Sequence, residues 1–159
     1  MDYLAVTNQN RQAINAYIKN HWFSTEMIIR GEIVDMTTVE GVVGMDGDEI
    51  VGLITYRIYA KVCEITSLDS LREGQGVGTA LLEQVTAIAK AKDCQKVSLI
   101  TTNDNINAIR FFQKRGFNLV KVHLDAVTRS RILKPKIPLI GQNGIPIRHE
   151  LEFELLLGN

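Results

Sequence analysis

Three glycines at alternate positions, Gly74, Gly76 and Gly78, stand in the run Leu71-Arg72-Glu73-Gly74-Gln75-Gly76-Val77-Gly78-Thr79. A β-rich stretch runs into them, and a helical pattern starts at once, with Val77, Leu81, Val85 and Ile88 on one face from about Gly76 to Ala91. Glycine has no Cβ, so a phosphate can approach the backbone there, and the amides of a first helical turn have no acceptor within the helix. The helix dipole adds roughly 0.3–1 kcal/mol for an anion at that end. A P-loop would need Gly-Lys-Ser/Thr at its close, and a dinucleotide fingerprint would need Gly or Ala at Thr79 and would open the domain. Neither fits. The plainer alternative is a tight strand-to-helix turn.

A second run follows, Asn103-Asp104-Asn105-Ile106-Asn107-Ala108-Ile109-Arg110-Phe111-Phe112-Gln113-Lys114-Arg115-Gly116-Phe117. Asn and Asp are good caps for the helix predicted over Asp104–Arg115, with Ala108, Ile109 and Phe112 inward and Gly116 at its C-terminal stop. No such chemistry attaches to Cys63 and Cys94, which lack metal-ligand spacing and read as two buried, reduced thiols, a single bridge being the alternative.

Around these runs the pattern gives a first strand at Tyr3–Val6, then a helix capped by Asn8, with Ile14, Tyr17 and Ile18 as its apolar stripe, ending near Lys19. His21–Asp35 reads as a short helix and a loop. Val39–Met45 and Glu49–Tyr59 read as strands joined by Asp46-Gly47-Asp48, and Val62–Leu71 as a further strand. Val97–Ile100, Phe117–His123 and Glu150–Leu157 complete the strands, and Asp125–Ile147 reads as a long irregular loop of the kind that often carries function. The order implies one mixed α/β sheet of six to seven strands with helices on both faces, in a single domain spanning 1–159.

The 159 residues suffice for a real core, and 45% hydrophobic with 23% charged residues is an ordinary globular composition. Lys plus Arg equals Asp plus Glu at 18 each, so no overall field draws the chain to nucleic acid or an anionic membrane. The N-terminus lacks a signal-peptide pattern and no apolar stretch is long enough to span a bilayer, so a cytoplasmic protein is expected.

Taken together, the two motifs closely resemble the GCN5-related N-acetyltransferase (GNAT) superfamily. Its first motif, Gln/Arg-x-x-Gly-x-Gly/Ala, is matched by Gly76 and Gly78, and its second, Asn-x-x-Ala-x-x-Phe-Tyr-x-x-x-Gly-Phe, by Asn105, Ala108, Phe111, Gly116 and Phe117. The resemblance covers essentially the whole chain. It implies a GNAT fold with acetyl-CoA, as co-substrate, wedged between strands near Ile65–Ser70 and Val97–Thr101. The pantetheine arm would pair with backbone around Leu68 and Ser70, and the pyrophosphate would sit on the amides of Gln75, Gly76, Val77, Gly78 and Thr79. By analogy Asn105, Phe111 and Phe112 would line the arm near the sulfur.

Two positions depart from the pattern. Glu73 stands where Gln or Arg is expected, and Arg72 could supply the missing positive charge. Phe112 stands where many members place the tyrosine that protonates the departing thiol. Tyr56, Tyr59 and His123 are substitutes to weigh against ordinary sheet packing. The Glu64-Ile65 pair resembles the family's Glu-Ile, which makes Glu64 the first choice of catalytic base and Asp69 the second.

The implied reaction is direct attack of an amine on the thioester in a ternary complex, the amine belonging to a small molecule or a peptide. The alternative is a non-catalytic acyl-CoA-binding module, which Phe112 suggests. His21, Trp22, Arg30 and the Asp125–Ile147 segment could shape an acceptor cleft. The alternating Glu150–Leu155 stretch reads as a pairing edge, which makes a homodimer plausible.

Overall fold

A computed structural model describes residues 1–158. Among the described residues, nine strands and four α-helices follow in the order β1 (Asp2–Ala5), α1 (Arg11–Trp22), β2 (Glu26–Ile29), β3 (Glu32–Asp35), β4 (Glu40–Asp46), β5 (Glu49–Tyr59), β6 (Val62–Ser70), α2 (Val77–Ala91), β7 (Lys96–Thr102), α3 (Ile106–Lys114), β8 (Asn118–His123), α4 (Ala126–Leu133) and β9 (Glu150–Leu156). The seven-stranded mixed sheet has the order β1-β4-β5-β6-β7-β9-β8, and β2 and β3 form a separate two-stranded sheet. Among the described residues, no helix is long and apolar enough to cross a membrane. The chain divides into two compact units, one of Met1–Met27 and Val34–Val97 with the chain end from Leu157, the other of Ile28–Ile33 and Ser98–Leu156.

In the first unit β1, β4, β5 and β6 pair antiparallel in succession. The ladder of β5 and β6 slips by one residue between Thr55 and Tyr56, leaving Thr66 as an extra residue in β6. Such a bulge takes a residue out of the ladder and sharpens the local twist. Thr66 and Ser67 both lie within hydrogen-bond distance of the Thr55 hydroxyl, at 2.7 and 2.6 Å. Helix α2 buries Val77, Leu81, Leu82, Val85 and Ala89; of the stripe its periodicity predicts, Ile88 is only half-buried. Gly52 lets that helix come close: a Cβ there would stand 2.7 Å from Val77 Cγ1 and 2.9 Å from the Asp69 carbonyl oxygen. Cys63 and Cys94 are both buried and unbonded.

Within the second unit β8 pairs antiparallel with β9, and α3 ends on a left-handed Gly116. The amides of Gly116 and Phe117 bond back to the carbonyls of Gln113 and Phe112, a Schellman closure.

Several elements differ from the sequence expectation. Helix α1 is capped at Asn10 rather than Asn8, and it runs to Trp22 rather than Lys19. It stops on Phe23 in the left-handed region, where no glycine signals an end. The stretch expected as a second short helix is the β2–β3 hairpin, turned by Arg30 and Gly31 at φ of 54° and 75°. Two positive φ values suit the twist of a two-residue hairpin, but Arg-Gly is a weaker signal of it than Asn-Gly. The supposedly irregular Asp125–Ile147 loop contains α4, a 3₁₀ turn at Gln142–Gly144 and a bridge between Ile140 and Pro146. Side chains pin it. Arg131 donates to the carbonyls of Ile137, Pro138 and Ile147, and Asn103 bonds Pro146, Arg148 and His149. Finally, Glu150–Leu155 is not a free edge, because β9 lies between β7 and β8. The edges belong to β1 and β8, so Glu150–Leu155 offers no pairing edge to a second copy.

Candidate active site

In the first unit, β6 delivers the chain at Ser70 to a turn that ends at Gly76, the N-cap of α2. Gly74 and Gly76 take φ of 74° and 76°, the left-handed region that costs other residues about 1–2 kcal/mol. A Cβ at either would meet nothing within 4 Å, so backbone geometry rather than packing requires these glycines. Gly78 is different. It sits buried in the first turn of the helix, where glycine costs about 1 kcal/mol relative to alanine. No side chain caps this helix end. Open space, a positive helix pole and small residues are what a phosphate group needs.

Arg72 is not directed to that role. Its guanidinium bonds Asp46 and, at 3.1 Å, Glu49 on the β4–β5 hairpin, so two carboxylates already balance its charge. Glu73 is exposed.

Of the two candidate bases, Glu64 is fully buried and its Oε1 accepts from Arg57 Nε at 2.7 Å. Removing such a partner from a buried charge is costly, which gives the pair a structural role. Asp69 stands three residues before Arg72. Burial pushes its carboxyl above the usual carboxylate range, against the opposing hydrogen bond from Trp22 and the attraction of His21. The Trp22 indole Nε1 donates to Asp69 Oδ2 at 3.0 Å. The extra turn of α1 makes that contact, and it also stacks His21 on Tyr17 with ring centroids 4.1 Å apart. The Tyr17 hydroxyl is buried with no hydrogen-bond partner, and burial and Asp69 both raise its pKa. The helix expected from the sequence ended near Lys19, so neither the stacking of His21 on Tyr17 nor the meeting of Trp22 with a strand residue 47 positions later could be read from it.

Tyr56 is buried, and desolvation, aided by Glu40 and Cys63, pushes its phenol up to about 12. Tyr59 is exposed beneath the Arg57 guanidinium. Leu68 and Ser70 pair with Ile54 and Gly52 of β5.

The remaining expected residues belong to the second unit. Asn105 is the N-cap of α3, its Oδ1 accepting from the Ala108 amide at 3.2 Å. Phe112 is buried and packs edge-on to Phe111 and Phe117, with centroids 5.1 and 5.3 Å apart. Phe111 carries the Arg115 guanidinium 3.7 Å above its ring. His123 lies 2.9 Å from Glu152, which Arg30 also bonds at 2.7 Å. Against the desolvation of its partial burial, these two partners hold the Glu152 carboxyl below the usual range.

Comparison with known proteins agrees with the resemblance of the two motifs. A model of the acetyltransferase (GNAT) family matches residues 19–117, and the chain belongs to that family. It is 45% identical over 148 residues to the uncharacterised protein YdhI of Bacillus subtilis (strain 168), covering 92% of both chains. The uncharacterised protein YxbD of the same organism is 42% identical over 153 residues, with 95% of this chain and 96% of that one covered. Among solved structures, a GNAT family acetyltransferase from Elizabethkingia anophelis with acetyl-CoA bound aligns at a TM-score of 0.67 and 22% identity, over 77% of this chain and 78% of that one. The ribosomal-protein-S18-alanine N-acetyltransferase from Escherichia coli aligns at 0.70 and 11%, over 99% and 94%. At such identities these structures speak to the fold.

Proposed function

We propose that this protein transfers an acetyl group from acetyl-CoA to an amine, with Asp69 as the base. The observation that carries the reading is the open, uncapped start of α2 behind left-handed Gly74 and Gly76, a few residues after a half-buried carboxylate of raised pKa. Solved family members with acetyl-CoA or CoA bound support acetyl-CoA as co-substrate. The amides of Gln75 to Thr79 hold the pyrophosphate, and the backbone around Leu68 and Ser70 pairs with the pantetheine arm. When bound, acetyl-CoA supplies the activated acyl group.

An amine must be neutral to attack. For a lysine-like amine of pKa ~10.4, losing the proton at pH 7 costs roughly 5 kcal/mol. Asp69 accepts that proton, directly or through water, because burial makes its carboxylate more basic than an exposed one. Trp22 is a positioning residue that holds the carboxylate through Oδ2 and leaves Oδ1 for the proton. The β6 bulge at Thr66 turns backbone out of the ladder close to Leu68, whose amide polarises the thioester carbonyl. Nitrogen would bond to the acyl carbon and give up its second proton to water, the carbon–sulfur bond would break, and its electron pair would leave on the thiolate. Phe112 supplies no proton. A thiol of pKa ~8.5 departs as thiolate or takes its proton from water.

A second reading, a non-catalytic acyl-CoA-binding module, draws on Phe112 alone. Titration of the protein with acetyl-CoA by calorimetry, beside Gly76→Glu, tests the loop. An amine panel read by released thiol separates the two readings: turnover supports the transferase, and micromolar binding without turnover on any amine supports the module. Failure of acetyl-CoA to bind overturns both.

A further inference from the structure

Gly74 and Gly76 set the course of the turn before α2 without packing: a Cβ at either would meet nothing within 4 Å, and no side chain caps the helix start. Glycine has the most backbone freedom to lose, so a turn built on it keeps a fixed set of amides only when both of its ends are held. The far end is held by packing. Val77 and Leu81 are buried, and a Cβ at Gly52 of β5 would stand 2.7 Å from Val77 Cγ1 and 3.0 Å from Leu81 Cδ1. The near end leaves the sheet at Leu71, whose amide donates to the Val51 carbonyl at 2.9 Å.

Just past Leu71, Arg72 reaches sideways to the β4–β5 hairpin. Asp46 ends β4, Glu49 begins β5, and the register sets the two directly opposite each other. Like charges at such a pair destabilise a hairpin. Arg72 bridges them, with Nη1 on Asp46 Oδ2 and Nη2 on Glu49 Oε2 at 3.1 Å. A planar guanidinium can place one nitrogen on each carboxylate in a fixed geometry, which the single nitrogen of a lysine cannot. Both carboxylates are exposed, while Arg72 is half-buried, and its hydrogen bond holds the Asp46 carboxyl below the usual range. One cation thus relieves a repulsion within the hairpin and fixes the chain just before Gly74.

We propose that Arg72 is a positioning residue of the phosphate site: clamped by Asp46 and Glu49, it ties the glycine turn to the β4–β5 hairpin and keeps the amides of Gln75 to Thr79 in place for the pyrophosphate. The proposal rests on the reading of that turn as the phosphate site. Arg72 itself touches no phosphate, because a guanidinium acting as a direct ligand would have to leave both carboxylates. The two roles therefore predict opposite outcomes when the carboxylates are removed. A direct ligand would be released and binding would tighten; a positioning residue loses its hold and binding weakens. Removing two negative charges by itself favours an anion, so a loss of affinity can only come from the lost hold.

The experiment is calorimetric titration with acetyl-CoA of the parent, Arg72→Met, Arg72→Lys, an Asp46→Asn/Glu49→Gln double variant and the triple combination with Arg72→Met. Arg72→Met and the double variant are each expected to weaken binding about fivefold, the upper scale of a surface ion pair. The triple variant should lose no more than either, since the three groups act as one unit. Arg72→Lys should restore part of the affinity. NMR relaxation without acetyl-CoA gives a second readout: backbone order parameters of Gly74 to Gly76 should fall in Arg72→Met, while the interior of α2 stays rigid. Thermal unfolding checks the fold of each variant. A double variant that binds as tightly as the parent or more tightly would overturn the proposal, as would an Arg72→Met variant with parental affinity or parental order parameters. Failure of the parent to bind acetyl-CoA would remove the phosphate reading and this proposal together, whereas parental binding that survives the loss of Arg72 would remove this proposal alone.

Discussion

Helices α2 and α3 begin in opposite ways. The start of α2 has glycine at its N-cap, left-handed backbone and no capping side chain. The start of α3 is closed by the Asn105 side chain on the Ala108 amide, and its far end is closed by Gly116. Each helix has about four amides that need acceptors from outside. One satisfies part of that need internally, and the other leaves it to solvent or a ligand. The lesson is that a family motif can mix parts that make the fold with parts that make the site. The asparagine of the second motif is tied into the fold, while the glycines of the first leave a helix pole open.

The largest expected effect lies on the strand before the open end. Asp69→Asn should lower kcat by ~10²–10⁴ in an amine-acetylation assay, the usual worth of a general base. It should also raise the thermal midpoint at neutral pH. The folded carboxyl has a raised pKa, so its contribution to stability is greatest below the unfolded value of about 4 and is lost as pH rises through the folded one. A variant that loses both rate and stability would remove Asp69 from the catalytic role.

Gly76→Glu puts a carboxylate and about 1–2 kcal/mol of left-handed strain at the open pole. With anion repulsion added, acetyl-CoA affinity should fall ~100-fold, an effect of about 3 kcal/mol in calorimetry. An unchanged affinity would mean that the open end of α2 is not the phosphate site. On α3, Phe112→Tyr would bury a hydroxyl among Phe111 and Phe117. Denaturant unfolding should show a loss of about 1–3 kcal/mol, with no gain in rate. A rate gain would show that the position reaches the leaving thiol.

The closed end predicts a smaller change. Asn105→Ala should cost about 1 kcal/mol. The midpoint should fall by ~2–4 °C. Acetyl-CoA affinity should stay the same if capping is its whole role, and a marked loss would assign Asn105 to the cofactor as well. Trp22→Phe removes the indole donor that opposes the rise of the Asp69 pKa. The acid limb of kcat/KM should then move to higher pH, with maximal rate little changed. A limb that does not move would separate Trp22 from the base.

Much of this was legible in the chain. The strands Glu49–Tyr59 and Val62–Ser70, the buried face of α2 and the Gly116 stop followed from local pattern, because period and turn chemistry are short-range properties. The β2–β3 hairpin was missed because Arg-Gly is a weak turn signal, and α4 because its few apolar positions sit in a polar, proline-flanked segment. Gly52 carried a faint sign, a glycine inside a strand, which often marks close backbone approach. The choice between Glu64 and Asp69 could not be made from residue type, since both are acidic residues of one strand.

By itself the sequence determined the element order outside the β2–β3 hairpin and α4, the glycine turn before α2 and membership of the family, since these depend on residues near one another along the chain. Tertiary structure alone decided which charges are already matched. It put Arg57 on Glu64, Asp46 and Glu49 on Arg72, and the Trp22 indole on Asp69. Desolvation and ion pairing depend on what surrounds a group in space, and those neighbours come from distant parts of the chain.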